Sequence, residues 1–295
     1  MKFENTKVWG FENALKGMRN PKESWDKNDS KYYIVNKNNE LKDVFLGNIS
    51  LDSFTDDCEI KYIIGPNDMQ LAQTLILAGS EHRKFMRQIF VSVDITAPLY
   101  WWKEFDTYKV GTVANSTSTM HTIEKAPITI NNFEIDDLAS LQMQIPLVGT
   151  TETLEHCTNI IIDICEGLRK KYLETKDKRY WKELIRWLPE SWLQTRTVTM
   201  TYENLLAMCG KGQRRFHKLN EWSGLDNPTL PNFISWARTL PYAQELIFID
   251  EIKKSEKDLL MEDGQKFRNL MSEINALGEN ALWEDIDTIL EKYLN

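Results

Sequence analysis

An alternating strand that runs through a proline into a short amphipathic helix is the feature that most constrains this chain. From Ile89 to Ile95 apolar and polar side chains alternate, which is the period-two pattern of a half-buried strand. Ala97-Pro98 ends the alternation, because a residue before proline disfavours the helical region. Aromatic residues then recur at helical spacing, at Trp102, Phe105 and Tyr108. We therefore predict a strand over 89–95 that leads directly into a helix over 99–109.

A polar loop follows this helix. Residues 112–121 read TVANSTSTMH, a composition too rich in hydroxyls for a core segment. Backbone N–H groups and Ser or Thr hydroxyls in such a loop can receive a phosphate. The sequence thus predicts an anion-binding loop beside the helix.

A second informative stretch covers residues 180–222. An Arg186-Trp187-Leu188-Pro189 element leads into the extended, Thr-rich segment TRTVTM, which carries Arg196. A helix through Asn204 ends at the run 210–215, Gly-Lys-Gly-Gln-Arg-Arg, which lacks the spacing of a Walker motif. Arginine binds phosphates and carbonyl edges through its planar fork, so Arg196, Arg214 and Arg215 are candidates for binding an anion. A solvated surface turn is the alternative interpretation of the glycine-rich run.

Composition limits the function classes. The chain has 295 residues, 42% of them hydrophobic, and a net charge of −8, which argues against a protein that coats nucleic acid. Four cysteines without a CxxC pair and four scattered histidines predict neither disulfides nor a metal site. No apolar run is long enough to span a membrane. We expect a cytoplasmic protein with no nucleic-acid or membrane partner.

The remaining pattern predicts a mixed architecture. Residues 32–35 and 60–64 resemble short strands, and Asp68 is a candidate N-cap for the helix that follows. Residues 122–150 carry no clear helix. The most regular helix covers 151–175 and is apolar on more than one side, as expected at the centre of an oligomer. We expect a domain over 1–250 with an N-terminal extension over 1–30, and a C-terminal helical extension over 251–295.

In order and spacing, both informative stretches resemble the flavin-dependent thymidylate synthases, the ThyX family. In that family a strand and proline precede a helix that ends in Arg-His-Arg, followed by a loop of the form xxSxNExSxRY. Here Thr107-Tyr108-Lys109 stand at Arg-His-Arg, and Thr112 and Thr117 stand at the two serines. The family also has an Arg-x-x-Leu-Pro element and a Thr-Arg pair, as at Thr195-Arg196.

The resemblance implies an α+β fold with a mostly antiparallel sheet and long packed helices. It implies a homotetramer that binds FAD and modifies deoxyuridine monophosphate at C5, with NADPH and methylenetetrahydrofolate as co-substrates. Because the arginines of Arg-His-Arg and of the loop are replaced, another C5 modification such as hydroxymethylation stays open. A long helix laid on the sheet is expected.

Residue roles follow from the same resemblance. The catalytic candidates are Arg196 and Arg215. The substrate-binding candidates are Lys103, Glu104, Asn115, Ser116, Thr117, Ser118, Thr119, Arg196, Arg214 and Arg215. The candidates for cofactor binding are His82, Thr107, Tyr108, Lys109 and Asn115.

Two alternatives belong to other classes. The first is a non-catalytic nucleotide-binding or assembly protein that keeps the fold without flavin. The second is an unrelated helical enzyme with His121 as a general base and Cys209 or Ser118 as a nucleophile.

Overall fold

The computed structural model describes residues 1–36, 41–43, 58–108, 110–138, 140–141, 143–147, 149–210 and 215–252. The chain divides into two compact units, over residues 1–249 and 250–295. The helical extension predicted over 251–295 lies almost wholly outside the described residues.

A four-stranded antiparallel sheet organises the first unit. Its order is β1-β5-β9-β6, formed by Lys2–Trp9, Phe90–Pro98, Leu193–Thr201 and Val113–Ser116. The predicted alternating strand is confirmed as β5, and β1 pairs with it from Lys2 to Trp9. Residues 1–30, which we expected to be an extension, therefore supply one edge of the main sheet and a helix.

Two smaller antiparallel sheets accompany the main one. Strands β2, β3 and β4 occupy Lys31–Asn36, Leu41–Asp43 and Cys58–Ile63 in the order β3-β2-β4. Strands β7 and β8, at Gln144–Leu147 and Thr150–Thr153, form a hairpin, so the helix predicted over 151–175 begins only at Leu154. A mostly antiparallel α+β architecture was predicted, and the structure confirms it.

Ten helices lie in the described part of the chain. The longer ones are α1 Phe11–Arg19, α2 Pro66–Leu77, α5 Leu154–Thr175 and α6 Lys178–Trp187. The shorter ones are α3 Leu99–Phe105, α4 Thr119–Thr122, α7 Tyr202–Cys209, α8 Asn220–Ser223, α9 Phe233–Arg238 and α10 Ala243–Leu246. The predicted helix 99–109 is thus shorter than expected, since a 3₁₀ turn over Asp106–Tyr108 follows α3.

The main core lies on one face of the four-stranded sheet. Inward side chains of β5 and β9, such as Ile95 and Val198, are fully buried together with Trp101 and Trp102 of α3. The other face carries Ser92, Asp94 and Thr96 beside the threonines of β9, because side chains alternate along a strand. The packing therefore fixes which side chains of β9 face α3.

The long helix α5 packs chiefly elsewhere. It joins α6 and the segment 123–135 in a second apolar cluster, in which Cys165 and Leu184 are fully buried. Only Ile162, Cys165 and Arg169 of α5 are buried, and Ile160 is 40% exposed. The long helix is therefore not simply laid on the main sheet, and much of its apolar surface is only partly covered within one chain.

Candidate functional site

Arg196 lies on β9, between the two neighbouring strands of the main sheet. It stands opposite Ile95 of β5 and Ser116 of β6. The alternation along β9 directs Arg196 to the same face as the buried Val198, toward α3. Its side chain is 16% exposed, so a charged group sits at the margin of the core.

Three groups hold the guanidinium of Arg196. It lies over the indole of Trp102, 4.2 Å from the ring centroid, and its Nη1 donates to Asp106 Oδ1 at 2.9 Å. Its Nε donates to Gln194 Oε1 at 3.0 Å. Within the part of the chain that the structure describes, Nη2 has no hydrogen-bond partner. Arg196 therefore presents a fixed cation with one donor edge still available to a ligand.

Gln194 links this arginine to the hydroxyl-rich loop. Its Nε2 donates to the carbonyl oxygen of Thr117 at 3.0 Å, while its Oε1 accepts from Arg196. The backbone N–H of Thr117 donates to the carbonyl oxygen of Thr195 at 2.8 Å. The loop is thus bound to β9 through Thr117, beside the glutamine that holds Arg196.

The register of β6 places the candidate substrate-binding residues of this loop on different faces of the sheet. Ser116 stands opposite Arg196 and shares its face of the sheet, whereas Asn115 stands opposite Thr197 and faces the other side. Ser118 and Thr119 form the start of α4. The predicted grouping of 115–119 in one cradle therefore needs correction at Asn115, which the strand pleat turns away from Arg196.

Charged residues of α3 form the surroundings of the site. Lys103 forms an exposed ion pair with Glu190 at 2.7 Å. Glu104 lies 3.5 Å from Nε2 of His217, whose Nδ1 accepts the backbone N–H of Leu219 at 3.1 Å. Because Nδ1 is an acceptor, the proton of the neutral imidazole belongs on Nε2, directed at Glu104.

Arg215 is placed differently from Arg196. Its side chain is 7% exposed, its Nε donates to the carbonyl oxygen of Cys209 at 2.8 Å, and its guanidinium lies over Phe248. This arrangement resembles a cation that stabilises the carboxyl end of α7. We expected Arg215 to contact substrate, and burial leaves its guanidinium little room to do so. Arg214 lies outside the described residues.

A cavity of about 750 Å³ brings together the elements predicted to hold a cofactor. We call it the arginine cavity. Its charged lining residues are Arg83, Arg87 and Glu203, and Phe90, Tyr108 and Asn204 also line it. Both arginines donate to Glu203, with the Arg83 Nε to Glu203 Oε1 distance at 3.3 Å. Two guanidinium groups face one carboxylate, so the lining carries one unit of excess positive charge.

The pKa of Glu203 reflects the two arginines that line the arginine cavity. Burial alone would raise the pKa of Glu203, but hydrogen bonds from Arg87 and Arg83 overcome that effect and lower the pKa below its ordinary value. Glu203 is therefore ionised at neutral pH. Arg87 stays 51% exposed and can reach a ligand phosphate.

The remaining cofactor candidates are not all brought together. Thr107 and Tyr108 line the arginine cavity, whereas His82 lines a separate cavity with Glu81, Lys84 and Phe85. Asn115 is on the outer face of β6, and Lys109 lies outside the described residues. His82 and Tyr108, which were both expected to contact the flavin, thus line two different cavities.

Several residues of the site were not singled out from the sequence. Trp102, Asp106, Arg87 and Glu203 acquire their roles only through packing between distant segments. One local signal was present: Thr201 and Asn204 form a capping box, Thr-x-x-Asn, which fixes the start of α7 and hence the position of Glu203.

Other chemistries find little support in the described residues. Cys209 is fully buried and burial raises the pKa of its thiol, which is the wrong environment for a nucleophile. In the part of the chain that the structure describes, no three metal-ligating side chains come together, and no helix is both long and apolar enough to cross a bilayer.

Comparisons with known proteins relate the fold to solved structures. No protein-family profile and no curated protein matches the sequence. Two structures of ThyX from Helicobacter pylori with FAD and dUMP align with a TM-score of 0.52 at 14% identity, over 86% of this chain and all of theirs. A UMP/dUMP methylase PolB from Streptomyces cacaoi aligns over 83% of this chain and 93% of its own at 13% identity, with a TM-score of 0.47. The chain has the fold of the flavin-dependent thymidylate synthases, and the predicted resemblance is confirmed at the level of fold.

Proposed function

We propose that this chain, which has the ThyX fold, binds a pyrimidine nucleotide of the dUMP class beside Arg196 and modifies it at C5 with the help of FAD. The observation that carries the proposal is Arg196 itself. It is a largely buried cation, fixed by Trp102, Asp106 and Gln194, with Nη2 directed to no protein partner among the described residues. The two ThyX structures with this fold were crystallised with FAD and dUMP, which supports the same ligand classes here.

The residues of the site have distinct tasks in this proposal. Arg196 binds the phosphate or a uracil carbonyl, where a charged fork stabilises negative charge that develops on the base. Ser116, Ser118 and Thr119 would supply hydroxyl donors, whereas the backbone N–H and the hydroxyl of Thr117 both donate to the carbonyl oxygen of Thr195 and hold the loop in place. Gln194 holds Arg196 and Thr117 in one arrangement, so that little reorganisation is needed when the nucleotide binds.

The arginine cavity fits FAD in two respects. Its volume of about 750 Å³ lies in the range of cofactor sites, and its excess positive charge suits a diphosphate. Arg83 and Arg87 would hold the phosphates, and Tyr108 and Phe90 offer ring surfaces for stacking. When bound, FAD would supply two-electron reduction chemistry. We propose NADPH as the reductant and methylenetetrahydrofolate as the one-carbon donor.

FAD binding gives the first prediction. Wild-type protein titrated with FAD should show a shift of the flavin absorption bands, and Arg87→Ala should weaken binding roughly tenfold or more, because one charge-assisted hydrogen bond is worth about 1.5–3 kcal/mol. The matched control is Arg179→Ala, since Arg179 is 89% exposed and pairs with Asp177. An unchanged flavin spectrum with excess FAD would show that the cavity does not bind this cofactor.

The proposed reaction has a direct test. Modification at C5 must replace the hydrogen on that carbon, so dUMP labelled with tritium at C5 should release tritium when FAD, NADPH and methylenetetrahydrofolate are all present. Omission of any one of them should abolish release. If no tritium is released although dUMP and FAD both bind, the proposed reaction is contradicted and only the two proposed binding sites are supported.

We further propose that α5 lies in the interface of a homo-oligomer, for which a tetramer is the expected form. Ile160 is 40% exposed, and Ile161 and Ile164 are only partly buried within one chain. Light scattering should therefore report a multiple of the 34.6 kDa chain mass. Ile160→Asp should lower that mass, and Leu225→Asp, at a site 57% exposed elsewhere, should not. A wild-type mass equal to one chain would contradict the interface.

A non-catalytic nucleotide-binding protein is the second candidate function. It is favoured by the placement of Arg215, which is buried against Cys209 and Phe248 rather than held beside Arg196 by a shared partner. Such a protein would purify without the yellow colour of flavin, bind dUMP and release no tritium. The colour of the purified protein is therefore the simplest discriminating observation.

A further inference from the structure

The corner between α5 and α6 carries a high concentration of positive charge. Residues 170–182, which we call the basic corner, include six basic and two acidic side chains, a net charge of +4 in a chain whose total is −8. The basic residues are Lys170, Lys171, Lys176, Lys178, Arg179 and Lys182. All six are exposed. The surplus of positive charge is therefore local, on a protein that is acidic as a whole.

The fold brings these side chains together. Helix α5 ends at Thr175, Lys176 adopts the left-handed conformation with a φ of 58°, and Asp177 is the N-cap of α6. The chain thus reverses its direction within two residues. Near the other end of the helix pair, the Sγ of Cys165 lies 3.6 Å from the carbonyl oxygen of Trp187. The two helices therefore run antiparallel, and the last turns of α5 lie level with the first turns of α6.

Helical geometry places the cations of α6 on one side of that helix. Lys178 and Lys182 are four residues apart, which is about 6 Å along the axis, and Arg179 lies beside them. Leu184 lies on the opposite side of α6 and is fully buried in the second apolar cluster. Burial of Leu184 fixes the rotation of the helix, so the three cations face solvent together.

Neighbouring carboxylates neutralise only part of this charge. Among the residues that the structure describes, ion pairs of the basic corner are Lys170–Glu166 at 3.6 Å, Lys171–Glu174 at 2.9 Å and Arg179–Asp177 at 2.6 Å. In the same part of the chain, no ion pair is formed by Lys176, Lys178 or Lys182. Because exposed ion pairs contribute little stability, a phosphate can also replace a carboxylate of the paired residues. The basic corner therefore suits a polyanion.

The surroundings of these cations indicate which polyanion fits. Trp181 packs against the second apolar cluster, and Nζ of Lys176 lies 5.8 Å from the ring centroid of Tyr172. The corner thus offers charge rather than free stacking surfaces. A single strand binds largely through stacking of its bases, whereas a duplex presents phosphates at a higher charge density. A membrane would take up an apolar side chain, and no large apolar side chain described within 170–182 is exposed.

We infer that the basic corner binds the phosphate backbone of duplex DNA, without reading its sequence. The net charge of the whole chain led us to expect no nucleic-acid partner, and the basic corner is a local exception to that charge. Because the protein as a whole is acidic, binding is weak and strongly dependent on salt. The inference uses no residue of the proposed dUMP or FAD sites, so its failure would leave the proposed function untouched.

Fluorescence anisotropy of a short labelled duplex, titrated with the full-length protein, measures this binding. At about 50 mM salt the Kd should lie between about 10 and 100 µM, and log affinity should fall against log salt with a slope of about −3.6, as for about four phosphate contacts. A single strand of the same sequence should bind more weakly. Addition of dUMP and FAD should not displace the duplex.

Variants locate the binding at the basic corner. The double variant Lys178→Glu/Lys182→Glu should weaken duplex binding at least tenfold and reduce the steepness of the salt slope by about 2, since two phosphate contacts are lost. The matched control is Lys22→Glu/Lys27→Glu, which makes the same change of net charge at two exposed lysines outside the corner. Circular dichroism checks that both variants fold, and Lys178→Gln/Lys182→Gln replaces the first if charge reversal unfolds it.

Four results would overturn the inference. They are an absence of duplex binding at low salt, equal weakening in the two double variants, displacement of the duplex by dUMP or FAD, and single-strand binding as tight as that of the duplex. Polyglutamate and vesicles that contain phosphatidylserine serve as competing polyanions. If either binds as tightly as the duplex, the corner is a general polyanion site or a lipid site and the inference is wrong.

Discussion

Asp68→Ala should lower the free energy of unfolding by about 3–5 kcal/mol, the range found when one partner of a buried ion pair is removed. Asp68 is fully buried, and it accepts Nε of Arg19 at 2.6 Å while Arg19 is itself 4% exposed. It also accepts the backbone N–H of Ser30 at 3.1 Å and of Asp29 at 3.3 Å. The substitution leaves a buried guanidinium and two backbone donors without their acceptor.

Urea unfolding followed by circular dichroism measures this effect. Glu174→Ala is the matched control, because it breaks an ion pair whose side chains are 48% and 68% exposed and should cost less than about 1 kcal/mol. The double variant with Arg19→Met should be more stable than Asp68→Ala alone, since it removes the stranded charge. If Asp68→Ala and Glu174→Ala lower the free energy of unfolding by equal amounts, the buried ion pair of Asp68 does not stabilise the fold more than an exposed pair does.

Arg196→Ala should weaken dUMP binding roughly ten- to hundredfold, which corresponds to the loss of a charge-assisted contact worth about 1.5–3 kcal/mol. The ligand-free protein should lose only about 1 kcal/mol of stability, because Asp106 is 42% exposed and regains water when its partner is removed. A large change in affinity with a small change in stability separates a binding role from a structural one.

Two further variants sharpen this test. Arg196→Lys keeps the charge but loses the planar fork, so its affinity should lie between those of the wild type and Arg196→Ala. Asp106→Asn removes the carboxylate that competes with a bound anion, and it should bind dUMP at least as tightly as the wild type. If the wild type and Arg196→Ala bind dUMP with the same affinity, the nucleotide does not bind at Arg196.

Local periodicity was enough to predict the strands and helices that carry a regular pattern. The alternation of β5 was readable because one of its faces is buried by the core and the other is polar. The helix α2 shows the limit: Asp68, proposed as its N-cap, is instead buried with Ala72 and Ile76, and Gly65 occupies the N-cap position. A carboxylate whose cationic partner lies 49 residues away in sequence cannot be recognised from its neighbours.

The same distinction applies to the site. Arg196 was identified because the Thr195-Arg196 pair in an extended segment resembles that of the ThyX family, and because arginine binds phosphates and carbonyl edges. Its partners Trp102 and Asp106 lie in α3 and in the 3₁₀ turn that follows it, about 90 residues earlier, so only the tertiary structure supplies them. In the sequence, Arg215 was as plausible a phosphate ligand as Arg196. In the structure, Arg215 is buried near the end of α7, where its Nε donates to the carbonyl oxygen of Cys209. Residue types indicated which side chains could bind an anion, and only the tertiary structure showed where those side chains lie.

The stacked pair of Trp9 and Phe90 forms a shared wall between two cavities. The residues stand opposite each other in the ladder of β1 and β5; Phe90 lines the arginine cavity, and Trp9 lines a neighbouring cavity together with Tyr32, Tyr62 and Tyr242. A ligand that displaced one ring would disturb the stacking of the other, which is a physical route for communication between the two cavities. By thermodynamic linkage, any factor by which a ligand in the neighbouring cavity changed FAD affinity would be the factor by which FAD changed the affinity of that ligand.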